Sequence, residues 1–349
     1  MTTRIERTSA LAGRITGKNV AALAGVSTSA VSRTFTEGGN VSVETRERVL
    51  KAARELGYRP NIMARSLMTG RTELIGLVSS NFDNPAFMEI FDLFTRRLQQ
   101  HGLRPLLANL SGGAQPRFAL DMLQQYNVDA VIVASSTLPA EFIEGCIEAR
   151  LPLVHAFGQA GRHAGVSVVA ADNLQGGRLA GKMLLERGYK NIAFLGGPPT
   201  ASSTADRLLG LQQALAKSGL DVATEAFGQS YSHEAGQSQM QQILRYGGID
   251  AVFCGDDILA MGALDACTVA GYRVPDDLAI IGFNDIAMAS WPAYRLTTIR
   301  QPIGEIILAA VELAIRLVEH PDEPPVTRLY ECKGVIRSTL GPLGRVPKV

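Results

Sequence analysis

Cysteine is scarce: Cys146, Cys254, Cys267 and Cys332 are scattered along 349 residues. They form neither a close-spaced metal pair nor a disulfide framework, which fits reduced thiols in the cytoplasm. No apolar run approaches the roughly 20 residues that span a bilayer. The N-terminus, MTTRIERTSALAGR, has no apolar core for a secretion signal, so a cytoplasmic protein without a membrane partner is expected. The five histidines, at 101, 155, 163, 233 and 320, show no metal-ligand spacing, and the pair Asp256–Asp257 lacks further carboxylates for a metal. No Gly-x-Gly-x-x-Gly follows a strand, and GGPPT (196–200) is followed by no lysine that would make it a phosphate loop. No serine sits in a nucleophile elbow. Neither a cofactor nor catalytic chemistry is expected.

What is present is an asymmetry. Net charge is +1, yet residues 1–71 hold twelve Lys or Arg against five Asp or Glu, and the remainder holds 22 against 28. A small basic head on an acidic body points to a polyanionic partner for the head. Apolar residues make up 46% of the chain, enough for a sizeable core.

Residues 1–14 read as a flexible tail. A helix starts at Thr16, with Val20, Leu23 and Ala24 on its inner face and Gly25 as its stop. Ser27 caps a second helix, which buries Val31 and Phe35. Ser42 caps a third, in which Val49, Ala52, Ala53 and Leu56 recur at helical spacing up to Gly57. Helix, tight turn, helix and a supporting helix make a helix-turn-helix head over residues 15–59. Its second helix, within AGVSTSAVSRTF, carries small residues that let it press into a major groove. Thr28 and Ser29 come near base edges there, and Arg33 shares their face and reaches a guanine with two donors. The plain alternative is a small helical bundle with a solvated arginine. In YRPNIMARSLMTGRT, residues 60–71 read as a short helix and linker that exposes Leu67 and Met68 beside Arg65.

From residue 72 short apolar strands alternate with helices. LIGLVSS, RPLLANL, DAVIVAS and LPLVHAF read as buried parallel strands, and NIAFLGG, DAVFCGD and LAIIGFN repeat the series. ELIGLVS (73–79) precedes KNIAFLG (190–196) by 117 positions, as HGLRPLL (101–107) precedes SGLDVAT (218–224). The body over 72–349 is therefore expected as two doubly wound parallel sheets in tandem, with a cleft between them. Chain crossings are placed near VSVVAAD, LTTIRQP and LYECKGV. Ligands bind such sheets at the carboxyl ends of strands, where Asn84, Phe87, Phe157, Arg207, Tyr231, Asp256 and Asn284 stand. Aromatics stack on sugar rings, and amides, carboxylates and Arg bind hydroxyls or paired oxygens. Each has a structural alternative: Phe87 and Phe157 as core, Asp256 as a helix cap, Arg207 as a surface ion pair.

VAALAGVSTSAVSRTF, VSVETRERVLKAARELGYRPNIMARSL and LIGLVSSNFDNPAF together resemble the lactose-repressor (LacI) family over nearly the whole chain. The resemblance implies a bacterial transcriptional regulator, most simply a repressor, with a body like a periplasmic binding protein. It implies that the Pro-Asn-x-x-Ala-x-x-Leu segment, with Asn61, Ala64 and Leu67, is a hinge helix that folds on operator DNA, with Leu67 wedged into the minor groove. It assigns effector contacts to Phe87, Arg207 and Tyr231, and places Asp256 where the family has Asn and Asn284 where many sugar-binding members have Asp. Asn19 stands where the family usually has Asp. The implied partners are double-stranded operator DNA, a second copy of the chain, and a small effector such as a sugar, sugar acid or sugar phosphate. The tail LGPLGRVPKV has no heptads for a tetramer. The rival reading is a soluble sugar-binding protein without a DNA role; a dehydrogenase is a distant third.

Overall fold

Helix caps set the boundaries of the head. In the computed structural model, α1 (Gly17–Ala24), α2 (Thr28–Thr34) and α3 (Val43–Leu56) follow the N-caps Thr16, Ser27 and Ser42. The structure describes residues 15–343 apart from 37, 60–65, 67–69, 81, 83, 112–114, 137–138, 160 and 162–164. The tail at 1–14 and the hinge residues Asn61, Ala64 and Leu67 lie outside the described residues. Ser27 Oγ accepts the Ala30 N–H at 3.2 Å and Ser42 Oγ accepts that of Thr45 at 3.2 Å, each satisfying an orphan donor of a helix start. Asn19 Oδ1 accepts from the Thr16 N–H at 2.9 Å, so the amide still closes the first helix start; it lacks only the charge that aspartate would bring to the helix dipole. Val20, Val31 and Val49 pack with Ala21, Ala24, Ala52 and Ala53 at the centre of the head. Each buried valine contributes about 1.5–3 kcal/mol. Leu23 differs from expectation: it is 52% exposed, and Ala21 takes the inner position. Both flank the Val20–Ala24 stripe, and the side on which α3 packs decides between them.

The chain divides into two units, 1–72 and 73–349. The second contains two six-stranded sheets. The first runs β1 (Leu74–Ser79), α4 (Pro85–Gln100), β2 (Arg104–Asn109), α5 (Pro116–Gln125), β3 (Ala130–Ala134), α6 (Ala140–Glu148), β4 (Leu153–Ala156) and β5 (Ser167–Ala171). The second runs α7 (Asn173–Leu185), β6 (Ile192–Gly196), α8 (Ser202–Ala216), β7 (Thr224–Phe227), α9 (His233–Tyr246), β8 (Ala251–Cys254), α10 (Asp257–Val269), β9 (Ala279–Asn284) and β10 (Thr297–Arg300). Then come α11 (Ile303–Glu319), β11 (Thr327–Tyr330) and β12 (Lys333–Val335). The strand orders, β11-β5-β4-β3-β1-β2 and β12-β10-β9-β8-β6-β7, repeat one winding. Pairing is parallel throughout except between β10 and β12.

The chain passes between lobes three times. It leaves the first sheet after β5, at Asp172. It returns after β10, at Gln301–Pro302, because α11 packs on β3, β4 and β5. It crosses again at Glu331–Cys332, between β11 and β12. β3, β4 and β5 are buried end to end, as are β6, β8 and β9, since helices cover both faces of a doubly wound sheet. RPLLANL departs from its expected burial: β2 is an outer strand, and its Leu107 is 50% exposed.

Candidate functional site

On α2, Thr28, Ser29 and Arg33 are all exposed, while Val31 and Thr34 are buried. Arg33 Nε donates to the Ser29 carbonyl at 3.3 Å, which lays the arginine along the face that carries Ser29. The loop behind α2 is tied down by Arg46, which donates to the carbonyls of Thr34 at 2.9 Å and Gly39 at 3.1 Å. The helix thus presents one cation among small side chains on a braced support.

In the body, all seven residues singled out at strand ends line one cavity. Asn84, Phe87 and Phe157 come from the first lobe, and Arg207, Tyr231, Asp256 and Asn284 from the second. The free space is about 40 Å³, because the lining groups bond one another. Asn84 caps α4 through Oδ1, which accepts the Ala86 N–H at 3.0 Å. Its Nδ2 reaches across the cleft to Asp256 Oδ2 at 2.9 Å. Asp256 likewise does two jobs: Oδ1 accepts the Ile258 N–H at 3.0 Å, and Oδ2 also accepts from Asn284 Nδ2 at 2.8 Å. The cap alternative for Asp256 and its place in the cavity both hold.

Arg207 is 5% exposed, which excludes a surface ion pair. Its guanidinium lies 3.6 Å from the Phe283 ring centre, donates from Nε to Asn173 Oδ1 at 2.9 Å, and donates from Nη1 to the Gly255 carbonyl. Gly177 of α7 makes room for this turn of α8, since a Cβ there would lie 2.2 Å from the Arg207 carbonyl oxygen. Tyr231 holds its hydroxyl 2.8 Å from Ser203 Oγ and 2.7 Å from Thr204 Oγ1. Its ring rests on Gly197, where a Cβ would come within 2.3 Å of a ring carbon. Phe87 and Phe157 belong to the core and line the cavity at once. Phe157 has φ +65° and Asn284 φ +121°. Such backbone costs about 1–3 kcal/mol per residue and collects at working sites.

Among the described residues, Arg207 and Asp256 are the only charged side chains of the lining. Burial pushes the Asp256 carboxyl above its ordinary value, against the downward pull of Arg207 and of three hydrogen bonds. Burial likewise lowers Arg207, with Tyr231 and Asp256 drawing it back up; the guanidinium remains a cation. A balanced charge pair among amides, hydroxyls and aromatic rings suits a compact polar ligand with apolar faces.

Asn173, Gln301, Ser136 and Ser203 also line the cavity and were not singled out from the sequence. Asn173 and Gln301 stand at two of the lobe crossings, so a polar residue at a crossing was a usable signal. Ser136 follows β3 and Ser203 lies in the first turn of α8, both among small residues, where nothing marks one serine over another. Among the described residues, no three His, Cys, Asp or Glu side chains gather as metal donors, and no helix is long and apolar enough to cross a membrane.

Residues 16–61 match the profile of bacterial regulatory proteins of the lacI family, and residues 182–340 match a periplasmic binding protein-like domain. The HTH-type transcriptional repressor PurR of Klebsiella pneumoniae (strain ATCC 700721 / MGH 78578) is 35% identical over 313 residues, covering 88% of this chain and 91% of its own. PurR of Escherichia coli O139:H28 is 35% identical over 314 residues, covering 88% and 92%. The crystal structure of the Lac repressor dimer bound to operator and the anti-inducer ONPF superposes with a TM-score of 0.84 at 26% identity, covering 93% of this chain and 98% of that one. The transcriptional regulator CelR in complex with cellobiose does so at 0.71 and 29%, covering 93% and 100%. These relatives are repressors and regulators, and the head they share sets aside a binding protein without a DNA role. The chain belongs to the lacI family of bacterial regulatory proteins and is an effector-controlled, DNA-binding regulator of transcription.

Proposed function

We propose that the chain represses transcription by binding a two-fold symmetric operator as a homodimer, and that a sugar or sugar derivative held between the lobes alters its operator affinity. The working parts are a tail at 1–14, a reading head at 15–59, a hinge at 60–71 and an effector-binding and dimerising body at 72–349. Thr28, Ser29 and Arg33 read bases in the major groove, and Asn61, Ala64 and Leu67 order as a hinge in the minor groove. Asn84, Phe87, Phe157, Arg207, Tyr231, Asp256 and Asn284 hold the effector. Two heads on one dimer match two half-sites. Ligand-dependent lobe closure changes the approach of the two hinges, which is a coupling free energy between the two sites. No residue is given a catalytic role, and the chain works on DNA in the cytoplasm.

The observation that carries this proposal is the convergence of seven strand-end side chains, from both lobes, on one cavity. Cellobiose bound to CelR and operator bound to the Lac repressor dimer support its two halves. The test begins by selecting operator sequences from random DNA with the full chain. Neutral sugars, sugar acids and sugar phosphates are then titrated against the complex, with the Arg207→Ala variant in parallel. A palindromic consensus is expected, with an effector response that the variant loses. A selected site without symmetry would remove the dimer, and an equal response from the variant would remove the effector site.

A further inference from the structure

Asp257 follows the cavity residue Asp256 but turns away from the cavity and is fully buried. Its two oxygens tie together the segments that carry Asn284 and Gln301. Oδ2 accepts the Ile286 N–H at 2.9 Å, and Oδ1 accepts the Thr298 hydroxyl at 2.5 Å. Ile286 follows directly on Asn284 and Asp285, two consecutive non-glycine residues with φ of +121° and +59°. A turn of that kind persists only where its surroundings hold it. Asp285 is clamped by Arg300 at 2.5 Å and Arg337 at 2.7 Å, and Asp257 clamps the next residue. Thr298 lies on β10, three residues before Gln301, whose amide donates to Asn284 Oδ1. Gly282 completes the seat, since a Cβ there would lie 2.2 Å from Asp257 Oδ1.

We propose that Asp257, without touching the cavity, is the positioning residue that fixes its Asn284–Gln301 side, and that the proton it carries sets how firmly that side is held. Charge-assisted hydrogen bonds are roughly twice as strong as neutral ones, so the carboxylate grips Ile286 and Thr298 harder than the neutral acid does. Burial pushes this carboxyl up to about 7, against the Thr298 hydrogen bond and with a further upward push from Asp256. The charged and titratable groups around it are Asp256 at the N-cap of the same helix, Asp285 in the turn, Cys254 on β8, and Arg207. The grip therefore changes across neutral pH. The role rests on the cavity being the effector site.

The chain contains its own reporter. Its single tryptophan, Trp291, follows the turn by five residues and is 51% exposed, and the Ala289 N–H donates to the Ile286 carbonyl at 2.9 Å. Two variants separate charge from shape. In Asp257→Asn the amide oxygen accepts from Ile286 and the amide nitrogen donates to the Thr298 hydroxyl, so the shape survives and the charge is gone. Asp257→Ala removes both bonds. We expect the Trp291 emission of the full chain to shift between pH 6 and 8 with a midpoint near 7, and the Asp257→Asn emission to stay flat. At pH 8, exchange of the Ile286 amide should quicken at least tenfold in Asp257→Ala and by a smaller factor in Asp257→Asn, which keeps both bonds without the charge, with β6 and β8 unchanged in both. A parent without the emission shift, a shift that persists in Asp257→Asn, or an unaltered Ile286 amide in Asp257→Ala would overturn the proposal. Asp257→Asn decides the matter alone if the alanine variant does not fold. Both measurements are made without effector, so an effector found to bind elsewhere would remove the effector site and leave these results standing.

Discussion

Arg207→Ala removes a buried cation together with everything it holds. Its Nε bond to Asn173 and Nη1 bond to the Gly255 carbonyl are charge-assisted, worth about 1.5–3 kcal/mol each. Its stack on Phe283 adds up to about 2 kcal/mol for a desolvated cation. Against these stands the desolvation of a guanidinium that is 5% exposed, a penalty of several kcal/mol; the lowered basicity of Arg207 is the same penalty seen from the proton. The opposing effects nearly cancel, so the free body should change in stability by on the order of 2 kcal/mol, or about 4–8 °C in Tm. The effector has no such compensation. Losing a fork worth two charge-assisted bonds costs about 3–6 kcal/mol, which weakens binding on the order of 10²- to 10⁴-fold. Arg207→Lys keeps the charge but not the planar fork or the stack, and should weaken binding by at least about tenfold. Scanning fluorimetry with and without the effector, beside operator binding by fluorescence anisotropy, separates the two effects. Operator release by Arg207→Ala at an unchanged effector concentration would refute the anchoring role. A variant too unstable to bind operator would mean that Arg207 is structural first.

Arg33→Ala should cost about 1–3 kcal/mol on the best operator and far less on random DNA; equal losses in a binding titration would make Arg33 a phosphate contact. Gly197→Ala puts a methyl where the Tyr231 ring now rests, so the ring must swing into the cavity. Effector affinity should fall by at least about tenfold with operator affinity unchanged, and calorimetry showing normal effector affinity would mean that the ring has another place to go. Asp257 holds its proton more tightly folded, at about 7, than unfolded, at 3.8. Its contribution to stability therefore declines as pH rises between those values and is level above them. From pH 5 to pH 8 the parent should lose on the order of 3 kcal/mol more than Asp257→Asn in urea unfolding; parallel losses would show that the carboxyl titrates elsewhere. Leu67→Ala should weaken operator binding, bend the DNA less in a circular-permutation gel and leave the DNA-free Tm unaltered. A lowered Tm with normal bending would place Leu67 in the core.

Much of this architecture is written locally. Ser27 and Ser42 start helices because a side-chain oxygen there meets an orphan N–H wherever the rest of the chain lies. The seven cavity residues could be named in advance because a parallel α/β sheet always offers its ligands the carboxyl ends of its strands, and strand ends are legible from apolar runs. The repeated half announced a second sheet, and the breaks between runs located the crossings where Asn173 and Gln301 stand. Other features needed the assembled chain. Leu23 and Ala21 flank the same helical stripe, and only the position of α3 decided which is buried. RPLLANL has the composition of an inner strand, but the reversal of strand order at β1 left it outermost. Asp256 and Asp257 are chemically alike and adjacent in sequence. One faces the cavity and the other the turn after β9, because Asp256 is the extended N-cap of α10 and Asp257 its first helical residue, so the two side chains leave the backbone in different directions, and different neighbours, distant in sequence, fill them. Local hydrogen bonding and apolar periodicity are short-range and can be read along the chain; burial and the bonding partner of a side chain are properties of what packs against it.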